Sequence, residues 1–277
     1  MIVGLNLDDS ADRKRTIVFS VAGLLGYPNE WFELERKWEQ LVKGAGLSYF
    51  RTADYMSMGL GWGGEFDKLV AKHGLTTARV IADALVQDLK ELIHGHKMAA
   101  FCLAILMPDF NEVVSKLKRV PFHKDPYIYA HHQLIGLVAE EVLKMKAPPV
   151  IAVAYDKNSK SAELKRSWEP FKNANPTWES TLGTLAPLDD KLNPSIQIAD
   201  LIAHTTTDTF RSRHKDPSAG IAELREWLPM LMRVAYVDKK YLRTVLAHNA
   251  RRLANHSKEQ KGANANKTQP KRVATNP

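Results

Sequence analysis

Hydrophobic and polar positions divide the chain into short apolar runs and longer helical repeats, the pattern of an α/β protein. Residues 2–7, IVGLNL, are an apolar run that meets Asp8-Asp9-Ser10, and residues 16–25, TIVFSVAGLL, are a β-branched run. The hydrophilic SADRKR between them predicts an antiparallel hairpin. Asn29 reads as the cap of a helix over 30–43, in which Trp31, Leu34, Trp38 and Leu41 recur at helical spacing. Gly44 and Gly46 end it, LSYF at 47–50 reads as a third short strand leading to Arg51 and Asp54, and the Gly- and Met-rich 56–64 reads as a loop. A helical segment over 65–94 follows, with Thr76 or Thr77 as a restart point. MAAFCLAILM at 98–107 predicts a strand buried on both faces and stopped by Pro108, and a helix over 127–146 is closed by Pro148-Pro149. VIAVAYD at 150–156 repeats the buried-strand pattern and ends in Asp156. A helix over 161–171, a strand over 181–186, a core helix over 193–211 and two appended helices over 219–233 and 238–254 complete the pattern.

The stretch NPSIQIADLIAHTTTDTFR, 193–211, stands out. Asn193 suits an N-cap and Pro194 the first helical position. At 3.6 residues per turn, Gln197, Asp200, His204, Thr207, Asp208 and Arg211 share roughly 100° of arc. Ile196, Ile198, Ala199, Ile202, Ala203 and Phe210 fill the rest. Such a stripe is either a solvated face or the wall of a site. A carboxylate at the edge of a core needs a metal or a hydrogen-bonding partner.

Composition narrows the class. A chain of 277 residues with 44% hydrophobic content can bury one elaborated domain. The reading is a core over 1–213, a helical appendage over 214–254 and a disordered basic tail over 255–277, which lacks large apolar residues. The lone Cys102 sits in an apolar run and excludes an internal disulfide or cysteine zinc cage. The N-terminus lacks a basic leader pattern and no run reaches membrane-spanning length, so a soluble, cytoplasmic protein without membrane contact is expected. The net charge of +8 is uneven: from Asp238 onward, ten Lys or Arg residues stand against Asp238 and Glu259 alone. A polyanion is the natural partner, and a merely solubilising tail the plain alternative.

The chemistry-bearing candidates are the acids. Asp8 and Asp156 end two predicted strands, where open α/β sheets collect ligands, and Asp200 lies on the last core helix. Three clustered carboxylates stay ionised together only if a cation joins them, and oxygen-only ligands favour Mg²⁺ or Mn²⁺. Asp54, Glu140 and Glu141 are candidates for a fourth carboxylate. Adjacent His131 and His132 point about 100° apart on a helix, and both read as structural. The chain has no G-x-x-x-x-G-K-[ST], H-E-x-x-H or G-x-S-x-G, which removes the easiest NTPase, zincin and α/β-hydrolase assignments.

At Asp8-Asp9-Ser10, Tyr49 to Asp54 and above all Gln197-Ile198-Ala199-Asp200, the chain resembles the domain-of-unknown-function 3800 family of bacterial and phage proteins. That family pairs an N-terminal Asp-Glu-Ser with a C-terminal Gln-x-x-Asp and is grouped with ribonuclease H-like folds. The resemblance spans about residues 1–212 and implies a mixed sheet flanked by helices, with a site of Asp8, Asp9, Gln197 and Asp200 and with Asp156 as a strand-end ligand. Asp9 departs from the usual Glu, and Arg51 stands where a histidine is expected. The expected function is metal-dependent cleavage of a phosphodiester in DNA or RNA. Asp8, Asp156 and Asp200 would bind metal, Asp9 would assist, and Gln197 would position substrate or orient Asp200. The rivals are a noncatalytic nucleic-acid-binding protein and a protein-interaction module on the same scaffold.

Overall fold

A computed structural model describes residues 1–12, 14–116 and 123–247. In chain order the elements are β1 (Ile2–Ala11), β2 (Val18–Gly26), α1 (Pro28–Gly44), α2 (Thr52–Met56), α3 (Gly64–His73), α4 (Leu75–His94), β3 (Ala99–Leu106), α5 (Met107–Ser115), α6 (Pro126–Leu143), β4 (Val150–Asp156), α7 (Ser161–Ala174), β5 (Leu182–Leu188), α8 (Pro194–Ser212), α9 (Pro217–Trp227) and β6 (Leu231–Val237). The strands form one mixed sheet in the order β5-β4-β1-β2-β3-β6, in which β2 alone runs against its neighbours.

The sheet is buried on both faces because successive side chains of its central strands are apolar. On β1, Val3, Leu5 and Leu7 point into one core with α5, α6 and α7, and on β2, Val18, Ala22 and Leu24 point into the other with α1, α4, α8 and α9. Burial of Ile196, Ile198, Leu201, Ile202 and Phe210 anchors α8 with on the order of 10 kcal/mol. That offsets the cost of the polar groups the helix also buries. One of them, Thr207, meets the Ser20 hydroxyl at 2.6 Å, and Ser20 also donates to the Ala203 carbonyl at 2.9 Å. Thr207 therefore belongs to a link between α8 and β2 rather than to a solvated face.

The hairpin, both long central strands and the core helices lie where the pattern puts them; the pattern does not predict the short helices α2 and α5, and four further differences stand out. Tyr27, not Asn29, holds the N-cap position of α1, because Pro28 takes the first helical place. Residues 47–50 pair with no strand, since the Phe50 N–H is held by a side chain of α8. The helical run over 65–94 splits at Gly74, whose φ of 75° lies in the left-handed region that glycine adopts freely. The helical appendage is corrected most. After α9 the chain passes Pro229 and enters β6, which extends the main sheet beside β3, and 239–247 return to helix, the rest of the expected second helix, 248–254, lying outside the described residues. LMRVAYV alternates with β-branched and aromatic residues and suits a sheet edge. The tail over 255–277 lies outside the described residues. No helix among the described residues is long and apolar enough to cross a membrane.

Candidate functional site

β1 and β4 run in parallel with Leu7 opposite Tyr155, so the next residues along, Asp8 and Asp156, are cross-strand neighbours. Leu7 and Tyr155 both point into the α6 core. Side chains alternate along a strand, so Asp8 and Asp156 project to the opposite face, where α8 crosses. Asp156 ends β4 as expected. Asp8 does not end β1: the strand continues to Ala11, paired with β2 through Ala11 and Phe19. The acid is thus set in the sheet rather than at its rim, and it is buried. Its Oδ1 accepts from the Asp9 N–H at 2.7 Å.

α8 supplies the wall. The Thr52 N–H donates to Asp200 Oδ2 at 2.6 Å, so Asp200 is turned into the protein. One turn earlier, buried Gln197 uses both ends of its amide. Oε1 accepts from the Trp38 indole and from the Phe50 N–H, each at 3.0 Å, and Nε2 donates to the Asp190 carbonyl at 2.8 Å. Gln197 and Asp200 therefore pin the backbone on either side of Arg51. Arg51 Nε in turn meets Asp190 Oδ2 at 3.2 Å. The i, i+3 spacing read from the sequence is a clamp on the segment entering α2.

The electrostatics show how closely the acids share one space. Burial, then Asp200, Asp9 and Asp156, hold the Asp8 carboxyl well above the usual carboxylate range. Burial raises Asp9 to about 7, with Arg15 pulling it down and Asp156 and Asp200 pushing it up. Burial, followed by repulsion from Asp190, raises Asp156 to about 6, against the pull of Arg51. Burial also raises Asp200, opposed by the Thr52 N–H and by the charges of His204 and Arg51. Like charges taken out of water bind protons or a cation.

Asp9 occupies the other face. Its Oδ1 accepts from Asn158 Nδ2 at 3.3 Å, and the same amide reaches the Tyr127 hydroxyl of α6 at 3.2 Å. Adjacent acids on one strand thus diverge, as the pleat requires. Of the candidates for a fourth carboxylate, Asp54 is buried near Arg51 and accepts from the Tyr49 hydroxyl at 3.3 Å. A Cβ on Gly64 would meet Asp54 Oδ2 at 2.0 Å. Glu140 is exposed late in α6, and Glu141 pairs with Lys144 and Arg233. The acid that does join the group is Asp190, in the loop before α8, which the strand-end argument passed over. Asp190, Arg51 and Asn158 lie in loops: Arg51 was singled out within the Tyr49–Asp54 stretch as a departure from the family pattern, whereas Asp190 and Asn158 had no signal beyond closeness to a motif or a strand end.

His131 and His132 are structural. His131 Nδ1 meets the Tyr127 carbonyl one turn back at 2.9 Å, and His132 stacks on Phe171 at 4.2 Å with Nε2 3.0 Å from the Ser167 hydroxyl. Burial is the main force lowering the two rings, to about 4 and about 3.

The donor chemistry of Asp8, Asp156 and Asp200 fits a hard divalent cation: all ligands are carboxylate oxygens, and burial leaves their repulsion poorly screened. As placed, no three or more His, Cys, Asp or Glu side chains among the described residues form a group that could hold a metal ion. A scan against protein-family models finds no match for this chain, and neither does a comparison with curated proteins.

Proposed function

We propose that the chain is a divalent-metal-dependent phosphodiesterase acting on nucleic acid, with Asp8, Asp156 and Asp200 as ligands of Mg²⁺ or Mn²⁺. The observation that carries this reading is the placement of cross-strand neighbours Asp8 and Asp156 beneath α8, where Asp200 raises the Asp8 carboxyl. A central β1 between reversed β2 and parallel β4 supports a ribonuclease H-like sheet. A bound cation of this class activates water near neutral pH and stabilises the attacking and leaving oxygens of a phosphodiester. The chain's own residues hold the acids in place: Thr52 orients Asp200, and Asn158 tethers Asp9, whose carboxyl near 7 can take or release a proton at physiological pH.

The test is cleavage of end-labelled DNA and RNA, single- and double-stranded, in Mg²⁺, in Mn²⁺ and in EDTA. The reading expects products with a metal and none in EDTA. No product with either metal on any of the four nucleic acids would reject it.

One observation favours a second reading. The Arg51 guanidinium already stands among Asp54, Asp156, Asp190 and Asp200 and supplies fixed positive charge where a cation would act. On that reading the scaffold binds nucleic acid without cutting it and leans on its basic C-terminal region. Deleting residues from Asn255 onward removes Lys258, Lys261, Lys267, Lys271 and Arg272 and should make the slope of log affinity against log salt shallower. Absence of any salt-dependent binding leaves the protein-interaction module.

A further inference from the structure

We infer that Arg51 binds an anionic oxygen of the substrate phosphate, and that Gln197 and Asp190 are positioning residues that fix where its guanidinium stands. This deepens the phosphodiesterase reading and rests on it for the identity of the anion.

Arg51 is the extended residue before α2, with φ −142° and ψ 126°. The N–H groups of its two neighbours are bound one turn apart on one helix, Phe50 to Gln197 Oε1 at 3.0 Å and Thr52 to Asp200 Oδ2 at 2.6 Å. The Arg51 Cα is therefore fixed relative to the acid proposed to bind metal. The far end of the side chain is fixed by the same glutamine. Gln197 Nε2 holds the Asp190 carbonyl at 2.8 Å, and Asp190 Oδ2 receives Arg51 Nε at 3.2 Å. One amide thus sets both the base of the arginine and the position of its carboxylate partner.

Stability alone is a weak reason for this arrangement. The Arg51 side chain is 47% exposed, and an ion pair open to water adds little to folding. Its contact with Asp190 runs through Nε, whereas a guanidinium carries five N–H donors in a planar fork that matches phosphate oxygens. Asp54, Asp156 and Asp200 also face it, so without a divalent cation the surroundings repel a phosphate. The contribution of Arg51 to binding should accordingly appear when the acids are neutralised and fade in EDTA.

The probe is a short fluorescein-labelled single strand, its affinity read by anisotropy across a salt series in CaCl₂ and again in EDTA. In CaCl₂, Arg51→Gln should weaken binding about tenfold, the size of a lost charge-assisted hydrogen bond. It should also make the salt slope shallower by about 0.7, one phosphate contact on a single strand. Arg51→Lys should restore the slope but not the full affinity, because a point charge replaces a fork. Asp190→Asn keeps the arginine charge and should lose affinity severalfold at an unchanged slope. A merely structural Arg51 would lower the melting temperature of Arg51→Gln and leave its slope at the wild-type value; that result, or wild-type affinity in Arg51→Gln, overturns the inference. Should Arg51→Gln not fold, a wild-type affinity in both Arg51→Lys and Asp190→Asn overturns it equally. The two readings fail separately. Arg51-dependent binding without cleavage in Mg²⁺ or Mn²⁺ removes the phosphodiesterase and keeps the clamp, and metal-dependent cleavage with Arg51-independent binding does the reverse.

Discussion

α6 and α8 are deeply set helices, one on each face of the sheet, and each carries polar side chains into its core. What differs is how far His131 and His132 of α6 reach compared with Gln197, Asp200 and Thr207 of α8. On α6, buried His131 bonds the carbonyl one turn back in its own helix, and His132 meets Ser167 on neighbouring α7. On α8, Gln197 and Asp200 cross to the start of α2 and the residues leading into it, a sequence separation of 147 and 148 residues, and Thr207 crosses to β2. A polar group satisfied within its helix or by the next one fills space and costs little. One that bonds backbone far away in sequence fixes the relative position of two elements, and that is the requirement of a site.

The contrast should be widest in activity. Asp200→Asn keeps size and an acceptor for the Thr52 N–H but removes a ligand charge, so metal-dependent cleavage should fall by ~100-fold or more. His132→Phe keeps the stacking on Phe171 and should stay within about twofold of wild type, since no reacting group is touched. Cleavage of labelled RNA or DNA in Mn²⁺ measures both, and equal losses would erase the distinction between the helices.

Stability should separate them next. Gln197→Leu leaves the Trp38 indole, the Phe50 N–H and the Asp190 carbonyl without their partner, which should cost about 3 kcal/mol in urea unfolding at 1–3 kcal/mol per buried unpaired group. His131→Leu removes a single bond to a helical carbonyl and substitutes an apolar side chain, and should cost within about 1 kcal/mol. A cost for Gln197→Leu no larger than that of His131→Leu would show that long reach carries no extra weight.

The smallest effect is in the pH dependence, where the two faces pull in opposite directions. Asp9 near 7 and Asp156 near 6 in the folded protein compare with about 3.9 for an unfolded Asp. Between those values the folded state holds more protons than the unfolded one, so stability falls as pH rises. His131 near 4 and His132 near 3 compare with about 6.5 unfolded. There the unfolded state takes up protons first, so stability falls as pH drops below that value. From about pH 4 to 6.5 the two groups oppose each other. Above about 6.5 the histidines are neutral in both states and the carboxylates act alone, so in EDTA the melting temperature should decline through pH 7, and Mn²⁺ should flatten the decline. A double His131→Leu, His132→Phe variant should gain stability steadily toward acid. A flat melting temperature above pH 6.5 in EDTA would mean that burial and neighbouring charge do not hold the Asp9 carboxyl above the usual carboxylate range.

Much of this was legible in the residues. Period-2 and unbroken apolar runs marked β1, β2, β3 and β4, and the arc of Gln197, Asp200 and Thr207 on α8 marked the inward-reaching face. Two failures are local, the cap displaced by Pro28 and the helix split at Gly74; the others come from long-range partners. LSYF looks like a strand, but its backbone is taken by the Gln197 amide. LMRVAYV continues a helical count, yet it is completed by the open edge of β3. Arg51 and Asp190 sit in loops distant in sequence, and only the fold reveals that one glutamine aligns both. The pairing of Asp8 with Asp156 was expected from strand ends. The divergence of Asp8 and Asp9 follows from pleat parity alone and could have been read from the sequence once β1 was taken to continue past Leu7.

The thiol of Cys102 lies in the middle of β3, fully buried, and burial pushes it up to about 12. It is the sole cysteine of the chain, so the native protein carries one latent reporter and no competing reactive thiol. Its modification by a thiol reagent becomes a clock for opening of the central sheet, readable in the presence and absence of Mn²⁺ without altering a residue. A cysteine introduced on the exposed surface would take a fluorophore or spin label selectively while Cys102 stays silent, which opens the segment around α2 to distance measurements in the otherwise native sequence.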